Sequence, residues 1–134
     1  MSAEANKKLI HEHYDAIWAG DEEALRRQVA EDFVDHASPP GTPSGIEPVI
    51  AWGRVLRSAF PDMTVSMDHC TAEDDIVACH ATWRGTHKGP FNGIAATGKG
   101  IEFSGMVFWR VAQGKIVERW AYLDNASMMK QLQG

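Results

Sequence analysis

The hydrophobic residues in the first part of the chain recur at helical spacing. Between Glu4 and Ala19 they fall on one helical face, and Gly20 then supplies a stop. Asp21 is a favourable N-cap for a second, short helix that ends near Ala30, since acidic side chains in its first turn suit the positive end of the helix dipole. The pattern therefore predicts two consecutive helices.

A third helix is predicted after an irregular segment. Residues 32–37 alternate as in a short strand, and the proline-rich residues 38–43 are typical of a loop. Ser44 and Glu47 have the spacing of a capping box, and apolar side chains at helical spacing continue to Phe60.

From Met63 onward, apolar and polar residues alternate, as expected of strands. The predicted elements are a strand from Met63, strands at 76–87, 100–112 and 115–124, and a terminal helix at 126–132. Gln113-Gly114 is a tight hairpin turn. Helices followed by antiparallel strands predict one α+β domain over residues 1–134, a cone-shaped barrel whose curved sheet wraps around the N-terminal helices and leaves a pocket at its open end.

Alternation outward from this hairpin predicts which side chains share a face. The paired positions are Val111 and Ile116, Trp109 and Glu118, Val107 and Trp120, Gly105 and Tyr122, and Phe103 and Asp124. This face is apolar yet carries two carboxylates, which favours a ligand cavity over a plain core. The other face is too apolar for water and predicts a homodimer through Met106, Phe108, Val117, Ala121 and Leu123.

Alternation along the strand at 76–87 places Trp83 and His87 on the side of Cys79 and Ala81. We expect this side to face the pocket, although a single bulge would exchange the two faces.

Composition excludes several function classes. The net charge of -5 is spread among interspersed acidic and basic residues, which disfavours nucleic acid as a partner, and no phosphate-binding loop is present. No apolar stretch approaches the roughly 20 residues of a membrane span, and the polar start is unlike a signal peptide, so we expect a cytoplasmic protein. Cys70 and Cys79 lack the spacing of metal ligands and are interpreted as small buried hydrophobes, and no cofactor is expected.

Several segments together resemble the SnoaL-like polyketide cyclase (ester cyclase) family. They are Asp32 to His36, Ala59 to Asp62, Gly85 to His87, Gly93 to Lys99, Gly114 to Trp120, and Asp124. They cover nearly the whole chain in the family's order. Ala96 departs from the pattern, because the family usually carries proline there. The resemblance implies the cone-shaped α+β fold of the nuclear transport factor 2-like superfamily.

The resemblance also implies a cofactor-independent intramolecular aldol ring closure on a small apolar carbonyl compound, a cyclase of the lyase or isomerase type. Asp124 matches the family's acid/base, and His36 and His87 match its pocket histidines. A carboxylate in an apolar site gains basicity, and a polar donor must hold the developing enolate oxygen. The expected substrate-binding residues are Tyr14, Phe33, Trp52, Leu56, Trp83, Phe103, Val107, Trp109, Glu118, Trp120 and Tyr122.

Each of the three candidate catalytic residues also has a purely structural interpretation. Asp124 is also a favourable N-cap for the last helix, His36 could bond the backbone near the loop, and His87 could be a surface residue beside Lys88. Two other functions stay open: hydrolysis, as in epoxide hydrolases of the same superfamily, and ligand binding without catalysis. The alternation places Asp124 and Arg119 on opposite faces, which argues against hydrolysis.

Overall fold

The computed structural model describes residues 2–133 as helices and strands in the predicted order. The helices are α1 (Ala3–Ala19), α2 (Glu22–Gln28), α3 (Glu47–Ala59) and α4 (Asn125–Gln133), and the strands are β1 (Val29–Asp35), β2 (Thr64–Glu73), β3 (Ile76–Thr86), β4 (Gly100–Ala112) and β5 (Lys115–Leu123). None of these helices has both the length and the apolarity that crossing a membrane requires. The prediction of an α+β fold is confirmed.

Most of the sequence signals for helix ends correctly predict where the helices begin and end. Gly20 ends α1 with a left-handed backbone (φ 70°), and the Asp21 side chain accepts a hydrogen bond from the Ala24 amide, as predicted. The capping box at Ser44 is wrong, because α3 begins after Ile46 and its cap makes no side-chain hydrogen bond. Local signals thus locate α1 and α2 better than α3.

The sheet has the strand order β1-β5-β4-β3-β2, so that β1 and β2 are its edges. Strands β2 to β5 pair antiparallel, but β1 runs parallel to β5, which corrects the fully antiparallel sheet expected from sequence. The buried inner face packs against α1, whose Ile10 and Tyr14 belong to the same core cluster as Val107 and Trp109. We call this covered side of the sheet the inner wall.

A bulge next to the hairpin changes which residues of β5 face inward. Gln113 and Gly114 both have positive φ (51° and 76°), and Val111 pairs with Ile116 as predicted. The next pair, however, is Arg110 with Glu118, so that Val117 is an additional residue in β5. A shift by one residue exchanges the two faces of a strand.

The predicted partners of β4 are therefore wrong beyond the hairpin. Trp109 pairs with Arg119, Val107 with Ala121 and Gly105 with Leu123. Arg119, Ala121 and Leu123 consequently belong to the inner wall, whereas Glu118, Trp120 and Tyr122 belong to the outer face of the sheet.

Candidate active site

Large aromatic side chains dominate the inner wall. Trp83 and Trp109 are almost fully buried, and Phe103 stacks on Trp83 with 5.4 Å between ring centroids and 9° between planes. Val107 is completely buried between them in the sheet, and Phe33 is buried on β1. These predicted wall residues do lie on one side of the sheet, and together they present a flat apolar surface.

Tyr14 of α1 lies across this surface. Its ring meets Trp109 and Trp83 edge to face, with centroid distances of 5.8 and 6.4 Å. The Tyr14 hydroxyl and the Trp109 Nε1 are both buried, and neither has a hydrogen-bond partner within the described part of the chain. Burial raises the pKa of Tyr14, so the phenol keeps its proton. The inner wall therefore holds two buried donors whose hydrogen bonds are unused, which is costly unless a ligand supplies an acceptor.

An ion pair that the sequence analysis did not identify lies on the same wall. The bulge at Val117 turns Arg119 inward, and the parallel pairing of β1 with β5 places Asp35 opposite it. Arg119 Nη1 donates to both carboxylate oxygens of Asp35, at 3.3 and 3.1 Å, and its Cζ lies 5.3 Å from the centre of the Trp109 ring. The two side chains are 19% and 22% exposed, so the pair is at the margin of the core.

His13, for which no sequence motif indicates a role, lies beside this pair. Its ring contacts Trp109 edge to face at 5.3 Å, and its Nδ1 is 3.2 Å from Gln28 Oε1. Burial lowers the pKa of His13 to about 4, and the positive charge of Arg119 acts in the same direction. The imidazole is therefore neutral at pH 7.

His87 is buried at the end of β3, in a different part of the interior. Its Nδ1 accepts a hydrogen bond from the Thr97 amide at 3.2 Å, so the proton of the neutral ring is on Nε2. This Nε2 is buried without a partner among the described residues, and the ring packs on Phe60 at 5.5 Å. The interpretation of His87 as a surface residue is wrong, since none of its area is exposed.

Three predicted residues form a cluster on the outer face instead of the inner wall. His36 stacks on Trp120 with 5.0 Å between ring centroids, and its Nε2 lies 2.9 Å from Glu118 Oε2. Arg110 donates to the other oxygen of Glu118 at 2.6 Å. Contacts with His36 and Arg110 lower the pKa of Glu118, so its carboxylate is ionised and already bonded. The expectation that Glu118 and Trp120 line the cavity is therefore wrong, because the bulge reverses their face.

Asp124 does not point into the interior either. It is exposed after β5, and its Oδ1 accepts a hydrogen bond from the Ser127 amide at 3.0 Å in the first turn of α4. This is the alternative that the sequence offered, an N-cap. His36, His87 and Asp124 thus lie in three separate places.

The remaining predicted contacts lie at the surface or near it. Tyr122 is 83% exposed on the outer face, and Trp52 is 50% exposed on α3, where its ring lies 5.8 Å from that of Phe91. Leu56, also on α3, is partly buried against the core. The described residues contain no group of three or more histidine, cysteine or acidic side chains that could hold a metal ion.

Comparisons with known proteins agree with this architecture. The model of the family described as SnoaL-like polyketide cyclase matches residues 8–132. The crystal structure of IdmH from Streptomyces antibioticus, described as a proposed polyketide cyclase, is 34% identical with a TM-score of 0.83, over 96% of this chain and 99% of that one.

Two further structures have the same fold. A proposed polyketide cyclase from Bacillus cereus is 26% identical with a TM-score of 0.82, over 96% of this chain and 80% of that one. TsrD from Streptomyces laurentii is 22% identical with a TM-score of 0.89, over 98% of this chain and 97% of that one, a likeness of fold alone. No curated protein sequence matches the chain.

Proposed function

Because this chain belongs to the SnoaL-like polyketide cyclase family, with its nuclear transport factor 2-like fold, we propose that it is a cofactor-independent cyclase that closes a ring in a small apolar carbonyl compound. The observation that carries the proposal is the combination, on one inner wall, of two unpartnered buried donors with an inward-facing ion pair.

The surface chemistry favours a flat, mostly apolar substrate that carries carbonyl oxygens. The Trp83, Trp109 and Phe103 rings offer broad apolar contact. A carbonyl oxygen accepts hydrogen bonds, which the Tyr14 hydroxyl and the Trp109 indole can donate. Tyr14, Trp83 and Trp109 are buried in the structure because other side chains cover them, so a bound substrate must displace some of these side chains.

In the proposed reaction Asp35 is the base. Its carboxylate takes the proton from the carbon next to a carbonyl, and the Tyr14 hydroxyl donates a hydrogen bond to the enolate oxygen that develops. The carbanion then attacks a second carbonyl carbon of the same molecule, and the new alkoxide recovers the proton from Asp35. Arg119 holds the carboxylate in position throughout. The product has the same composition as the substrate.

His87 stays in the proposal as a further donor, because its Nε2 is buried and has no hydrogen-bond partner in the described part of the chain. Its ring packs on Phe60, which belongs to the same core cluster as Trp109, so it would serve a substrate long enough to extend from Trp109 toward the end of β3. Asp124 and His36 are left out, since one caps α4 and the other is bonded to Glu118.

Hydrolysis is the second candidate function, and the Asp35–Arg119 pair is the observation that favours it. An epoxide hydrolase of the kind considered above uses an arginine between two aspartates. Arg119 forms an ion pair with Asp35, whereas Asp124 accepts a hydrogen bond from the Ser127 amide. The arrangement therefore supplies two of the three residues of that constellation.

Product mass distinguishes these functions. The protein is incubated with a panel of linear diketones and of epoxides, and the products are examined by chromatography and mass spectrometry. A cyclase gives a new compound of unchanged mass, whereas a hydrolase adds one water. Binding without any product, detected as a raised Tm, would contradict both and leave a ligand-binding domain.

We also propose that two copies associate through the outer face of the sheet in the cytoplasm. Met106 and Phe108 are 55% and 48% exposed there, beside Trp120 and Tyr122. The Arg110–Glu118–His36 cluster borders this patch with both signs of charge, as a self-complementary interface requires. The patch differs from the predicted one, because Ala121 and Leu123 face inward.

A further inference from the structure

Two cysteines lie directly opposite each other on the inner wall. Cys70 of β2 pairs with Cys79 of β3 in an antiparallel ladder, and their sulfur atoms are 3.2 Å apart. Opposed residues in such a ladder have Cα atoms about 4.5 to 5.5 Å apart, which is within the range that a disulfide spans. Closing the bond needs a decrease in the sulfur separation to about 2.05 Å, a change that side-chain rotation can supply.

A second bulge creates this juxtaposition. Met67 pairs with Ala81, but the next pair is His69 with His80, so that Asp68 is an additional residue in β2. If the strands paired without this bulge, Asp68 would lie opposite His80 and Cys79 would lie opposite His69. Asp68 is fixed by hydrogen bonds from two neighbouring hydroxyls, Ser66 Oγ at 2.8 Å and Thr82 Oγ1 at 2.5 Å. The pairing of the thiols is therefore built into a well-bonded feature of the strand.

We propose that Cys70 and Cys79 are a redox modification site, which a peroxide converts to an intramolecular disulfide. Cys70 is half-buried and is the sulfur that a small oxidant reaches, whereas Cys79 is buried. Burial, and next the hydrogen bond with Cys70, raise the pKa of Cys79, so this thiol is a poor first target. The difference in accessibility therefore indicates that the peroxide oxidises Cys70 first and that Cys79 reacts second.

The reaction balances with one molecule of peroxide. The Cys70 sulfur takes one peroxide oxygen and becomes a sulfenic acid, while the other oxygen leaves as water. The Cys79 sulfur then attacks the Cys70 sulfur, the S–O bond breaks, and hydroxide leaves with the Cys79 proton as a second water. Two thiols and hydrogen peroxide give one disulfide and two waters.

The disulfide would lie next to the candidate active site. Cys79 pairs on its other side with Val107 of β4, and Cys79, Val107 and Tyr14 belong to the same buried core cluster. A covalent bond between β2 and β3 would therefore restrain the wall against which Tyr14 packs. The modification itself does not depend on the cyclase function.

The test is oxidation of the folded protein by hydrogen peroxide, followed by intact mass and thiol counting. We expect the mass to fall by about 2 Da with loss of both thiols, and dithiothreitol to restore them. A gain of about 16 or 32 Da without the lighter product, or disulfides between molecules, would overturn the proposal.

A matched variant tests the role of register. The double variant Cys70→Ala, Thr71→Cys keeps two thiols, but Thr71 pairs with Ala78 and its side chain is on the outer face. We expect at least a tenfold slower loss of 2 Da in this variant. Equal rates in both proteins would mean that the observed pairing does not direct the bond, and would overturn the proposal.

Discussion

Arg119 lies opposite Asp35 on the neighbouring parallel strand, and one guanidinium nitrogen donates to both oxygens of that carboxylate. The contact depends on two features that are far apart in sequence, the bulge at Val117 and the parallel pairing of the edge strand β1. It converts an apolar wall into one with a fixed charge distribution.

Removal of the Arg119 charge should destabilise the fold. Arg119→Met leaves the Asp35 carboxylate partly buried without its partner, and we expect a loss of about 1–3 kcal/mol in the free energy of unfolding. Urea denaturation measures this. The control is Arg110→Met, which removes a more exposed arginine paired with Glu118 on the outer face, and should cost less than about 1 kcal/mol. Equal losses would contradict the distinction between the two faces.

Tyr14→Phe should separate stability from function. The hydroxyl is buried and has no hydrogen-bond partner among residues 2–133, so its removal should leave the stability unchanged or raise it by about 1 kcal/mol. Turnover of a cyclised substrate should fall at least about tenfold, because the enolate loses a donor. Tyr122→Phe, at an exposed position, should change neither quantity. A large loss of stability in Tyr14→Phe would show that the hydroxyl has a structural partner.

The stability should decrease in mild acid because of His13. Its pKa is about 4 in the folded protein, against an ordinary histidine value of 6.5, so the unfolded chain binds the proton first as the pH falls. The neutral His13 side chain thus contributes about 3 kcal/mol to the free energy of unfolding. This contribution is complete above pH 6.5 and is lost progressively as the pH falls toward about 4. His13→Gln should flatten this pH dependence of the unfolding free energy, whereas His11→Gln, exposed on the same helix, should keep it.

The outer face should control the association of two chains. Phe108→Glu places a charge within the exposed apolar patch and should shift a dimer to a monomer, as measured by light scattering during size-exclusion chromatography. Val55→Glu is the matched control, since Val55 is 43% exposed but lies on α3. A monomeric wild type, or an unchanged dimer in Phe108→Glu, would contradict the interface.

The sequence predicted those features that depend on neighbouring residues. Gly20 and Asp21 mark the boundary between α1 and α2, and Gln113-Gly114 forms the expected turn, because each is a property of a few consecutive residues. The inward residues of β4, such as Trp109 and Val107, were likewise correct, since alternation holds along an uninterrupted strand.

The prediction of the site residues was wrong where the pairing register between strands changes. Alternation of apolar and polar residues cannot reveal one added residue in a strand. Because of the added Val117, Arg119 faces inward, and the predicted wall residues Glu118 and Trp120 face outward. Asp35 was missed because its partner is 84 positions away and its strand pairs in parallel. The opposed cysteines depend in the same way on the bulge at Asp68. These contacts are set by tertiary structure and leave no periodic signal.

The central claim, that the inner wall with Asp35 carries the chemistry, is tested most directly by a matched pair of aspartate variants. Asparagine keeps the shape of both side chains but cannot accept a proton as a carboxylate does, and asparagine at position 124 can still cap α4. The measurement is kcat/KM for a substrate that the screen has identified. We predict a loss of at least about 100-fold for Asp35→Asn and less than about threefold for Asp124→Asn. The reverse order would contradict the account and would place the acid/base at Asp124.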